Sequence, residues 1–137
     1  MQDKFFLDTN ILIYSFGAST KKIRATELIK KAHLKNGCIS YQVIQEFLNV
    51  ATRKFENPFK YEDLQLYLKK ILLPICEVFP SEKLYIDALD ILERWKYSFY
   101  ESLIIASALE SQSNILYSED LQHGQKIKNL TIVNPFI

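Results

Sequence analysis

The chain has only two cysteines, Cys38 and Cys76, far apart and each in an apolar setting. They suit buried thiols in a reducing compartment and argue against a disulfide scaffold. Two histidines and no Cys-x-x-Cys pair leave no ligand set for zinc. No apolar run approaches the roughly 18 residues of a membrane-spanning helix. The start, Met-Gln-Asp-Lys, lacks the charged segment and long apolar run of a secretory signal. The cytoplasm is therefore the expected location. No charge of one sign dominates: 17 Lys and Arg against 16 Asp and Glu leave a net +1. No global field draws such a chain onto nucleic acid or membrane, so any nucleic-acid contact must come from local basic clusters. There is no internal repeat, low-complexity stretch or interdomain linker. The 137 residues suit one domain with a sizeable core, and 48% hydrophobic with 24% charged residues is ordinary for a soluble globular protein.

What is present reads as alternating strands and helices. Residues 4–7 form a first buried strand, which stops at Asp8-Thr9-Asn10; a helix follows over 11–16. A second helix covers 21–35, closed by Asn36-Gly37, with an apolar side and a basic side of Lys21, Lys22, Arg24, Lys30, Lys31 and Lys35. That basic side is either solvated or a phosphate-contacting surface. A short strand at 38–40 leads to a helix from Ser40 or Tyr41 to Arg53. Asn57-Pro58 is a break. A helix over 61–73, a strand at 77–79 and a Ser81-capped helix over 82–95 come next. Residues 103–109 are apolar or small on every side and predict a helix buried all round. Strands at 114–117 and 131–133, separated by a turn at Gly124, complete an α/β pattern with a parallel sheet.

Four acids stand out. Asp8 ends the first strand, at the edge where parallel α/β sheets bind ligands, and equally fits a helix N-cap. Glu46 lies on the flank of the apolar stripe formed by Val43, Phe47 and Val50. A carboxylate there must be paired or bind a cation. Glu101 sits in the first turn of the all-apolar helix; Ser98-x-x-Glu101 matches a capping box, which does not exclude a ligand role. Asp120 repeats the Asp8 design at the end of a later strand, where Ser118 could also cap a short helix. Carboxylates gathered without basic partners need cations, and oxygen-only ligands favour Mg²⁺ or Mn²⁺. Such ions serve in-line displacement at phosphodiesters. A receiver-type module also places acids at strand ends, but it requires a partner Lys near a later strand, for which there is no clear candidate.

The stretches Leu7-Asp8-Thr9-Asn10, Glu46-Phe47-Leu48, Ser98-Phe99-Tyr100-Glu101-Ser102-Leu103-Ile104 and Ser118-Glu119-Asp120-Leu121, in this order over essentially the whole chain, resemble a PIN domain. More narrowly, they resemble the single-domain VapC-like toxins of bacterial toxin–antitoxin pairs. The resemblance implies one domain over residues 1–137, a three-layer α/β/α fold with a central parallel sheet of about five strands. It implies a Mg²⁺- or Mn²⁺-dependent endoribonuclease cutting RNA, a homodimer, and a small antitoxin covering the site. By position, Asp8, Glu46 and Asp120 match the family's acids. Glu101 stands where the family usually has Asp, and the extra methylene displaces the carboxylate by about a bond length, a shift to which active sites are sensitive. The alternative is thus a weakened or inactive PIN-like domain that binds RNA or antitoxin. Thr9, Asn10 and Ser118 fit supporting hydrogen bonds to the carboxylates, or plain capping. His123 replaces an acid found in some relatives and is either a surface residue or a phosphate contact. Lys21, Lys22, Arg24 and Arg53 are candidate phosphate contacts, with Tyr14 or Phe16 stacking on a base.

Overall fold

The computed structural model describes residues 3–55 and 59–137, so the break expected at Asn57-Pro58 lies outside the described residues. The order is β1 (Phe5–Leu7), α1 (Thr9–Tyr14), α2 (Lys22–Leu34), β2 (Gly37–Ser40), α3 (Tyr41–Arg53) and α4 (Tyr61–Tyr67). Then come β3 (Cys76–Val78), α5 (Glu82–Trp95), α6 (Phe99–Glu110), β4 (Ile115–Tyr117), β5 (Lys126–Ile127) and β6 (Leu130–Val133). Among the described residues six strands lie in the order β3-β2-β1-β4-β6-β5, and only the β5–β6 pairing is antiparallel.

This order positions the site. The chain leaves β1 toward β2 and β3, then crosses back through α5 and α6 to β4 on the other side of β1. Right-handed crossovers put α1–α4 on one face and α5 and α6 on the other. The reversal between β1 and β4 opens a crevice beyond their carboxyl ends, the usual ligand position of such sheets. The registers Phe5–Ile115, Phe6–Leu116 and Leu7–Tyr117 bring those ends level. Asp8 and Ser118 are the next residues on each strand. Their backbones are tied as well: the Asp8 amide donates to the Tyr117 carbonyl at 3.0 Å.

Local chemistry explains the elements. Phe5, Phe6 and Leu7 are buried on both faces, as a central parallel strand requires. Residues 102–108 of α6 are all buried, which is why that helix shows no polar side. Ser40, Ser81 and Ser98 cap α3, α5 and α6 with their hydroxyl oxygens. A second, smaller apolar cluster, Val78, Leu84, Ala88, Leu103 and Ala106, fills the layer under α5 and α6.

Several details depart from expectation. The sheet has six strands where about five were expected. The extra one, β5, is two residues long and turns back through Lys128 at φ 55°, with no glycine to mark the turn. Gly37 does not close α2: it belongs to β2. Its missing side chain has a packing reason, since a Cβ there would meet Ala32 Cβ at 2.4 Å and the Phe5 ring at 2.6 Å. The helix expected over 61–73 keeps α geometry only to Tyr67, then widens into a π turn (Leu68–Leu72) and tightens into a 3₁₀ turn at Leu73–Ile75. Pro74 has no amide to continue an α ladder. Ser118 caps no helix; 118–121 is an irregular loop. Cys38 is buried, Cys76 only half-buried, and both are free thiols. Among the described residues no helix is long and apolar enough to cross a membrane.

Candidate active site

The crevice is a cleft of about 370 Å³ lined by Asp8, Glu46, Glu101 and Asp120 together. Four separate elements deliver them: the end of β1, the middle of α3, the first turn of α6 and the loop after β4. Thr9, Asn10 and Asn49 supply further polar groups, while Ile13, Val50, Ile104 and Leu121 form apolar walls. Among the described residues no Lys, Arg or His is in this lining. Among the described residues none of the four acids forms an ion pair.

Each acid is held differently. Asp8 is buried. Its Oδ1 accepts the Thr9 amide at 2.7 Å, and its Oδ2 accepts the Ser118 hydroxyl at 2.8 Å. Asp8 is the N-cap of α1 and also lines the cleft, so the cap does not remove it from the candidate site. Burial pushes its carboxyl up to about 6, helped by the nearby charges of Glu46 and Asp120 and opposed by its two hydrogen bonds. Glu46 Oε1 accepts the Thr9 hydroxyl at 2.6 Å, and Gln42 Nε2 reaches its Oε2 at 3.4 Å. Asp120 is exposed, and its Oδ2 accepts from Asn10 Nδ2 at 3.0 Å. The side chains of Thr9, Asn10 and Ser118 thus each donate to a different acid.

Glu101 is the outlier. Its Oε1 accepts the Ser98 amide at 3.1 Å while Ser98 Oγ accepts the Glu101 amide at 3.3 Å, a complete capping box. Its carboxylate lines the cleft yet is turned back to its own helix. Consistent with this, among the described residues no three Asp, Glu, His or Cys side chains already close on one point as metal ligands would. The donor set nevertheless fits a hard divalent cation: carboxylate oxygens, no opposing base, and a buried Asn10 Oδ1 without a partner.

The basic candidates divide. The Lys21 ammonium is paired with Glu119, which also accepts the Tyr14 hydroxyl, and it lies 4.7 Å from the Tyr14 ring centroid. This pairing holds the Glu119 carboxyl below its usual range. Lys21 is therefore engaged, and Tyr14 is fixed with it rather than open to a base. Arg24 pairs with Glu27 at 3.7 Å on its own helix. Lys22 and Arg53 are exposed. None of these four, nor His123, lines the acid cleft. His123 is exposed, with Nδ1 accepting the Asn134 amide at 2.9 Å, in keeping with the surface alternative.

Two features escaped the sequence reading. Gln42 is buried one helical turn before Glu46; its amide donates to the Tyr100 carbonyl at 3.2 Å and so joins α3 to the start of α6. The spacing to Glu46 was the available signal. The Lys21–Glu119–Tyr14 group had none, because its partners are distant in sequence.

A family model described as PIN domain matches residues 5–127. A comparison with curated proteins finds no match. Among solved structures, a toxin–antitoxin complex from Klebsiella pneumoniae superposes with TM-score 0.69 at 18% identity, covering 97% of this chain and 98% of that one. VapC20 of Mycobacterium tuberculosis, described as a sarcin-ricin loop cleaving toxin, gives 0.64 at 17% identity, over 85% and 90% of the two chains. VapBC2 of Rickettsia felis, bound to a promoter DNA fragment, gives 0.62 at 21% identity, over 93% and 96%. At these identities the likeness is one of fold.

Proposed function

The chain belongs to the PIN domain family, and from that premise we propose that it is a Mg²⁺- or Mn²⁺-dependent endoribonuclease, the toxin of a toxin–antitoxin pair acting in the cytoplasm. One observation carries the reading: four carboxylates share a cleft whose lining contains no cationic side chain. Like charges gathered in this way are stable only if a cation, or protons, offset them. The Asp8 carboxyl is raised mainly by its burial, and the charges of Glu46 and Asp120 add to that in the same direction.

Asp8, Glu46 and Asp120 would hold the ion, with Glu101 joining if its carboxylate leaves the Ser98 amide. When bound, a divalent cation offsets charge on phosphate oxygens and makes water a better nucleophile near neutral pH. The chain's own residues orient the ligands. Ser118 and the Thr9 amide fix both oxygens of Asp8; the Thr9 hydroxyl and Gln42 fix Glu46; Asn10 steers Asp120. The apolar walls at Ile13, Val50, Ile104 and Leu121 limit water around the phosphate. None of the lining residues is a Cys or Ser nucleophile, which suits attack by water.

RNA as substrate is supported by the described activity of the M. tuberculosis toxin, and an antitoxin partner by the K. pneumoniae complex. A homodimer is supported by exposed apolar side chains: Tyr85, Ile86 and Leu89 of α5, Phe79, which shares a groove with Tyr85, and Tyr100, linked to Tyr85 through Phe99. The test is cleavage of single-stranded RNA by the purified chain. Cutting should need Mn²⁺ or Mg²⁺, stop with EDTA and vanish in Asp8→Asn. Cutting that persists equally in Asp8→Asn refutes the site. The second reading, a weakened or inactive PIN-like domain, draws on the Glu101 capping box. It predicts no cutting by the unaltered chain and recovery in Glu101→Asp.

A further inference from the structure

Ile13 separates the acid cleft from a second cavity of about 750 Å³, and its side chain lines both. The second cavity lies between the end of α1 and the end of α3, with Phe16, Phe55 and Phe59 in its walls and Lys22 and Lys54 among its lining. Phe16, one of its lining residues, is also the hub of an aromatic cluster. The ring centroid lies 4.9 Å from Phe59, 5.7 Å from Phe55, 5.1 Å from Tyr67 and 5.8 Å from Phe47. Phe16 is nevertheless 38% exposed. An aromatic ring fixed by four neighbours yet open to solvent is a preorganised platform, because binding on it costs little further ordering.

We propose that this cavity is a nucleotide subsite of the nuclease, where a base flanking the scissile phosphate rests on Phe16 and its phosphate meets Lys22 and Lys54. The proposal rests on the ribonuclease reading above. Single-stranded RNA alternates flat apolar bases with anionic phosphates, and proteins grip it with aromatic faces beside cationic side chains. The cavity combines both. The acid cleft, next door across Ile13, has no cation of its own in its lining and so cannot hold a strand by side-chain charge. Of the cations first considered for phosphate, Lys21 is engaged by Glu119 and Arg24 by Glu27, whereas Lys22 has no ion pair among the described residues.

The test is equilibrium binding, in Ca²⁺, of a fluorescent mixed-sequence single-stranded RNA and of the same backbone made abasic. The unaltered chain should prefer the RNA with bases. Phe16→Leu keeps an apolar side chain in the aromatic cluster but removes the π face. It should weaken binding of the intact RNA roughly five- to hundredfold, with little effect on the abasic strand. Lys22→Glu, at an exposed helix start, should weaken both strands and flatten the salt dependence; this variant carries the test if Phe16→Leu fails to fold. Unchanged RNA binding in the folded variants overturns the proposal, including the case in which a protein segment fills the cavity instead. The readout is separate from cutting. Base-dependent binding without metal-dependent cleavage would sink the nuclease reading alone, and metal-dependent cleavage with binding unaltered by either substitution would sink the subsite alone.

Discussion

Asp8→Asn should make the metal-free protein more stable near neutral pH, and the size of the gain should depend on pH. In the fold the Asp8 carboxyl titrates at about 6 instead of its ordinary 3.8, mainly through burial and then through Glu46 and Asp120. A carboxyl whose folded pKa is raised favours folding only while protonated, so stability falls as pH climbs from the unfolded value to the folded one. The cost grows from about 1 kcal/mol at pH 4.5 to about 3 kcal/mol at pH 7, then levels off. Asparagine keeps the shape without the charge and lacks this fall. It also disturbs the bond from the Ser118 hydroxyl, a roughly constant loss of about 1 kcal/mol. The slope of the difference against pH is therefore the diagnostic, more than its offset. Urea denaturation of both proteins in EDTA, from pH 4.5 to 8, measures it. Mn²⁺ at a hundred times its Kd for the unaltered chain should stabilise that chain by about 2.7 kcal/mol and Asp8→Asn by no more than about 1.4 kcal/mol. A stability difference that stays flat with pH would mean that Asp8 carries no buried-charge cost and is an ordinary helix cap.

Other outcomes follow from particular contacts. Glu101→Asp shortens the side chain that closes the capping box, so thermal stability should drop by about 1 kcal/mol; if Mn²⁺ affinity and RNA cleavage both stay unchanged, the departure at this position is without consequence. Lys21→Met removes the main cause that lowers the Glu119 carboxyl, which should move upward in an NMR titration while the Tyr14 hydroxyl still donates to it. The same substitution should leave the salt dependence of RNA binding unaltered, because the Lys21 ammonium already faces a carboxylate. Gly37→Ala drives a methyl into Ala32 and Phe5, and should destabilise the fold by about 3 kcal/mol or more in urea denaturation.

Much of the fold could be read from the sequence because its strands and helices differ in period and length. The unbroken apolar run at Phe5-Phe6-Leu7, the helical spacing of Val43, Phe47 and Val50, and the uniformly apolar stretch after Glu101 each have one economical explanation. The short β5 and the π turn at Leu68–Leu72 did not show, since the first is fixed by pairing to β6 and the second carries no residue pattern that separates it from a continuing α-helix. Gly37 misled: glycine after a helix suggests a C-cap, but here the strand passes too close to α2 for a side chain. Within the site, the positions of the acids at element ends were visible, and the structure brings all four to one cleft. Their partners were less so. A sequence shows that Lys21 is basic but not that Glu119, far along the chain, claims it.

The most direct test of the central claim is calorimetric titration of Mn²⁺ into the purified chain, alongside Asp8→Asn, Glu46→Gln and Asp120→Asn. Binding should be saturable and at least tenfold weaker in each variant, with proton release near pH 6 as Asp8 gives up its proton. Absence of binding, or binding that all three variants retain, would mean that these carboxylates do not form a cation site.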